Sequence, residues 1–111
     1  MKIEELKSIL EKVIKDKVFY GINVYDNEDN ASMPYIVFQE TSKRPIGYAD
    51  NKSMPYMVSI QITLVTKNKS PILERTLEKT LLDNNLNYSL VSEFFNSDKS
   101  INRVYEIKTE E

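Results

Sequence analysis

The chain contains neither cysteine nor histidine. Without cysteine there is no disulfide framework, no thiolate zinc site and no cysteine nucleophile. Without histidine it lacks the side chain that most often serves as a general base near neutral pH, and no Ser-His-Asp or Cys-His set is available. Glycine is scarce too. Gly21 and Gly47 are the only two, and two isolated glycines cannot form a phosphate-cradling loop. No apolar run approaches the ~20 residues that span a bilayer. Charges inside the first apolar stretch, Met1-Lys2-Ile3-Glu4-Glu5, do not read as a signal peptide. Absence of cysteine suits a reducing cytoplasm, although exported proteins also lack it.

What is present suits one folded domain over residues 1–111. Hydrophobic residues make up 41% of the chain and are spread along it, which argues against disorder. Fifteen Lys and Arg against seventeen Asp and Glu leave a net charge of −2. That balance supplies no strong basic field for a dedicated nucleic-acid binder.

Ile3, Leu6, Leu10, Val13 and Ile14 recur at helical spacing, with Ile9 at the stripe's edge, and predict an amphipathic helix over 3–16. Its mixed-charge outer face reads as a solvated face rather than a membrane-binding one. Val18 to Tyr25 is β-branched and aromatic, with Gly21 marking a bend or bulge. A polar turn, Asp26 to Ser32, leads to a strand from Pro34 to Thr41 with apolar residues on both faces, hence one covered on both sides. Ser42 to Ser53 reads as a long loop. Met54 to Thr66 alternates and predicts a strand with one apolar and one mostly polar face. Ser70-Pro71 caps and opens a second helix with a stripe of Ile72, Leu73, Thr76, Leu77, Leu81 and Leu82. Glu74, Arg75, Glu78 and Lys79 lie outside it, and Asp83-Asn84-Asn85 ends it. A hairpin follows: Asn87–Phe95, a turn at Asn96–Ser100, and Ile101–Lys108. In its first strand Tyr88, Leu90 and Phe94 are expected on one face, Val91 and Phe95 on the other. The order α-β-β-β-α-β-β predicts an α+β two-layer sandwich, a mainly antiparallel five-stranded sheet with two helices.

Candidate chemistry is thin. Asp26, Glu28 and Asp29 offer oxygen ligands but lack the spacing of a calcium loop, and read as a solvated turn. Glu40 and Asp50 are surface carboxylates that no spacing pairs. No catalytic, cofactor-binding or metal-ligating residue is therefore nominated, and no cofactor is expected. Seven tyrosines stand out, because tyrosine and methionine are enriched at protein interfaces. Most read as half-buried sheet residues, with Tyr48 and Tyr56 the expected exceptions. Lys43, Arg44 and Lys52 make the long loop basic, while Ile46 and Tyr48 give it apolar anchors. The loop either contacts an acidic or phosphate partner or stays solvated. Lys43, Arg44, Ile46, Tyr48, Lys52 and Tyr56 are the interface candidates.

Several features together resemble a known family: the opening helix MKIEELKSILEKV, the strand Pro34-Tyr35-Ile36-Val37-Phe38, the run Thr66-Lys67-Asn68-Lys69-Ser70-Pro71, the helix LERTLEKTLLDNNLNY and the closing Val104-Tyr105-Glu106-Ile107. The family is the tail terminator or tail completion proteins of long-tailed phages and prophages of Gram-positive bacteria. The resemblance covers nearly the whole chain and rests on structural motifs, without a catalytic signature. It implies a virion protein, assembled in the host cytoplasm. Such a protein forms a hexameric ring on the head-proximal end of the tail tube, ends tube polymerisation and presents a surface to the head completion protein. DNA passes through the lumen without sequence-specific binding, and no membrane is involved. The loop Lys43–Lys52 would project toward a neighbouring subunit, the tube or the lumen. The alternatives are another neck component, such as a head completion protein, and a small cellular regulatory protein-binding domain. A nucleic-acid-binding module fits the near-neutral charge least.

Overall fold

The computed structural model describes residues 3–21, 33–45, 56–97 and 99–110. They form α1 (Ile3–Glu11), β1 (Val18–Tyr20), β2 (Tyr35–Pro45), β3 (Tyr56–Thr66), α2 (Pro71–Asp83), β4 (Tyr88–Phe95) and β5 (Ile101–Glu110). The fold is α+β, with two helices on one face of a five-stranded sheet ordered β1-β2-β3-β5-β4.

The sheet is mixed. β1 runs parallel to β2, with Val18 beside Ile36, while every other pairing is antiparallel. A parallel neighbour needs a long return connection, and fourteen residues separate Tyr20 from Tyr35. Gly21 supplies the break after β1. Its φ is +57°, in the left-handed region open to glycine, and its N–H donates to the Phe38 carbonyl at 2.9 Å.

α1 is shorter than its periodicity predicts. The N–H groups of Lys12 and Val13 donate only three residues back, to Ile9 and Leu10, at 3.2 and 2.9 Å. Asp16 then takes φ +63° and turns the chain. Val13 and Ile14 still pack on the core, but from turns. Hydrophobic spacing reports the contact and not the backbone that delivers it.

α2 begins as expected. The Ser70 hydroxyl accepts from the Leu73 N–H at 3.4 Å and Pro71 follows it. At the other end Asn85 adopts φ +61°. The buried stripe is narrower than predicted. Leu77 and Leu81 are fully covered and Leu73 partly, whereas Ile72 and Leu82 face out. Glu74 and Glu78, expected outside, turn toward the sheet instead.

The core joins Leu6 and Leu10 of α1, Leu77 and Leu81 of α2, and one sheet face: Val18, Ile36, Phe38, Val58, Ile60, Ile62, Leu64, Tyr105 and Ile107. Burying an aliphatic side chain of this size contributes about 1.5–3 kcal/mol. The alternation of β3 therefore faces its apolar set to the helices. β2 lies inside the sheet between β1 and β3.

Two strands differ from expectation in a way that matters for the surface. β2 runs on through Ser42, Lys43, Arg44 and Pro45, pairing with Ser59 to Tyr56 after a bulge between Glu40 and Ser42. Lys, Arg and Pro are poor strand formers alone, and cross-strand pairing overrides that preference. In β4 a bulge between Leu90 and Ser92 reverses the alternation. Leu90 sits opposite Tyr105 and Phe94 opposite Asn102, so Leu90 and Phe94 occupy different faces. Phe95, opposite Ile101, shares a face with Leu90.

Candidate functional site

The inward turn of α2 builds a polar network over the β4–β5 hairpin. Arg103 of β5 is its hub. Its Nε donates to the Tyr105 hydroxyl at 2.6 Å. One terminal nitrogen lies 3.2 Å from Glu93 and 3.6 Å from Glu74, and the other 3.4 Å from Glu78. The Tyr105 hydroxyl donates in turn to Glu78 at 2.6 Å, and Tyr88 donates to the same carboxylate at 3.0 Å. Lys69, just before α2, bridges Glu74 at 3.0 Å and Glu93 at 2.5 Å. The side chains of Arg103 and Glu74 are 16% and 9% exposed, whereas those of Glu93 and Lys69 are 31% and 48% exposed, so the network is covered at its centre and open to solvent at its rim.

Its electrostatics follow from the geometry. Burial disfavours the Glu78 carboxylate, but hydrogen bonds from Tyr105 and Tyr88 and the Arg103 charge outweigh it and hold the pKa below the ordinary value. Burial and the acceptor Glu78 push the Tyr105 phenol up. The bridge to Glu93, then that to Glu74, raises Lys69. Every polar atom named here is engaged by another protein group. The arrangement clamps α2 to the hairpin. The sequence pattern misses it because the stripe from Ile72 to Leu82 sets Glu74 and Glu78 on the outer face. Glu74 and Glu78, four apart with Arg103 on a facing strand, were the available signal.

Of the interface candidates, Lys43, Arg44 and Tyr56 lie among the described residues. Ile46, Tyr48 and Lys52 lie outside them, as do Asp50 and the turn residues Asp26, Glu28 and Asp29. Lys43 and Arg44 are strand residues, not loop residues, and strand alternation sends them to opposite faces. Lys43 shares the helix-bearing side with Tyr56, its Nζ 5.0 Å from the ring centre. Arg44 lines an open trough of about 330 Å³ on the other face, with Ser42, Met57, Ser59 and Lys108. The predicted single basic loop is thus divided between two surfaces. Tyr56 is 40% exposed and Tyr20 matches it at 41%. Glu40 is exposed, with no carboxylate partner among the described residues.

The larger apolar surface lies elsewhere. Along β4, Leu90, Val91, Phe94 and Phe95 are 48%, 58%, 46% and 75% exposed. Among the described residues β4 is an outer strand of the sheet, so one side of its backbone has no ladder partner. No group of three or more Asp and Glu among the described residues is placed to hold a metal ion. No helix among them is long and apolar enough to cross a membrane.

Neither protein-family models nor curated proteins provide a match to this chain.

Proposed function

We propose that this protein is a structural virion component that caps the head-proximal end of a phage tail tube, ends its polymerisation and docks the neck. It works by surface complementarity and carries out no reaction. The subunits close a hexameric ring through a heterologous contact, with the tube protein on one side and the head completion protein on the other, and DNA passes through the lumen.

One structural observation supports this reading beside the sequence resemblance. Both helices pack on a single sheet face, and the opposite face is not covered by any helix among the described residues. That face presents Phe19, Tyr35, Val37 and Met57, all half-buried, beside Gln61, Thr63 and Glu106. A mixed aromatic and polar surface of this kind suits a protein partner better than bulk water alone. The Arg44 and Lys108 trough lies at its end.

Deletion of the gene from the phage or prophage that carries it tests the reading by electron microscopy of lysates. Filled heads beside unattached tails of variable, abnormal length are the expected outcome. Normal-length tails that fail to join heads would reassign the protein to another neck role. Intact infectious particles would overturn the virion reading and favour a cellular regulatory protein.

A further inference from the structure

We propose that the β4 edge pairs with the β4 edge of a second copy of this chain, antiparallel about a two-fold axis, so that the free protein is a dimer with one continuous ten-stranded sheet. The proposal goes beyond the virion reading and does not rest on it.

The position of the exposed residues selects the mode of contact. Leu90 and Phe95 pair with Tyr105 and Ile101 and lie on the helix-bearing side, whereas Phe94 pairs with Asn102 on the other. A partner resting on one face covers only half of this set. A strand added to the edge covers side chains on both faces at once and satisfies the outer backbone groups.

Charge and length select the partner. Two-fold antiparallel pairing sets a strand against itself, so each charge risks meeting its like, which is destabilising. β4 carries one charge in eight residues, Glu93, and that carboxylate is already held by Lys69 and Arg103. Pairing about Ser92 sets Ser92 against itself and places Glu93 opposite Val91 of the other copy, not opposite Glu93. The other outer strand, β1, is only three residues long and cannot cover eight. No lysine or proline interrupts β4, the usual protection of an outer strand. The bulge at Leu90/Ser92 is its one blunting device.

Area agrees. With large apolar side chains offering roughly 150–250 Å² each, the exposed fractions leave about 400 Å² of apolar surface along β4. A standard interface buries about 800 Å² per partner, a little over half of it apolar. An isologous pair also closes at two, covering the edge without generating a filament.

The absence of natural cysteine makes the test direct. Directly opposed residues of antiparallel strands lie about 4.5–5.5 Å apart at Cα, within disulfide reach. Ser92→Cys in the full chain, under mild oxidation, is expected to give an interchain disulfide in most of the protein. Light scattering of the wild type is expected to report twice the 13.0 kDa chain mass. Val91→Lys with Phe95→Lys, both at exposed positions, is expected to weaken association at least 100-fold while leaving the circular dichroism spectrum unchanged. A wild-type monomer at 100 µM overturns the proposal. So does a dimer or ring whose mass the lysine variant does not change and which Ser92→Cys does not cross-link; a ring of that kind would still leave the virion reading standing.

Discussion

Replacing Arg103 with methionine removes the hub of the α2–hairpin network while keeping an unbranched apolar stem. Three carboxylates and one phenol lose a donor or counter-charge together: Glu74, Glu78, Glu93 and Tyr105. Lys69 stays with Glu74 and Glu93, and the two tyrosines stay with Glu78, so the loss is partial. Removing one partner of a buried ion pair costs about 3–5 kcal/mol, and one charged hydrogen bond about 1.5–3. The remaining partners place this variant at the lower end, about 3 kcal/mol at pH 7. For a domain of 111 residues that lowers the melting temperature by about 12 °C. Urea unfolding followed by far-UV circular dichroism measures it, with an unchanged slope confirming a native-state effect. The loss should shrink as pH falls through the lowered folded-state pKa of Glu78, whose protonated carboxyl no longer needs the guanidinium. A deficit below 1 kcal/mol at pH 7 would refute the clamp. A deficit that stays constant down the whole acid limb would assign Arg103 a packing role instead.

Three further outcomes are expected. Because the folded-state pKa of Glu78 is lowered, its stabilisation is present above the ordinary carboxylate pKa and is lost as pH falls through the lower folded value. Glu78→Gln should therefore be less stable at pH 7 and flatter across the acid limb, and parallel urea-midpoint curves would contradict this. Gly21→Ala meets no atom within 4 Å of the added Cβ, so its cost is the left-handed backbone alone, about 1 kcal/mol. A loss above 3 kcal/mol by thermal unfolding would mean that a clash exists. The Thr109 hydroxyl is buried with no hydrogen-bond partner among the described residues, so Thr109→Val should raise stability by about 1 kcal/mol. A destabilised valine variant would reveal a partner for that hydroxyl.

The elements were legible in the sequence because each is written locally. The alternation of Met54–Thr66, the Ser70-Pro71 start and the Asn96–Ser100 turn need no distant contact to be read. They yielded the order of elements, the α+β class and the face of β3 that meets the core. Length was less legible. The first helix stops at Glu11 although its apolar spacing runs to Ile14, and β2 continues through Lys43-Arg44-Pro45 because β3 lies beside it.

What tertiary structure alone decided is which surfaces coexist. The parallel placement of β1 depends on the route back to β2, which no local pattern encodes. The bulge in β4 exchanged the faces of its aromatic residues, and β5 moved in beside β3 to leave β4 outermost. The candidate site changed most. Lys43 and Arg44 were separated by alternation, while residues up to 34 positions apart, Lys69 to Arg103, were gathered around one carboxylate cluster. Sequence determines which side chains prefer burial or solvent. Which charged groups must share a buried position is fixed only when a helix and a sheet are brought together, since desolvation and pairing energies depend on the neighbour supplied by the fold.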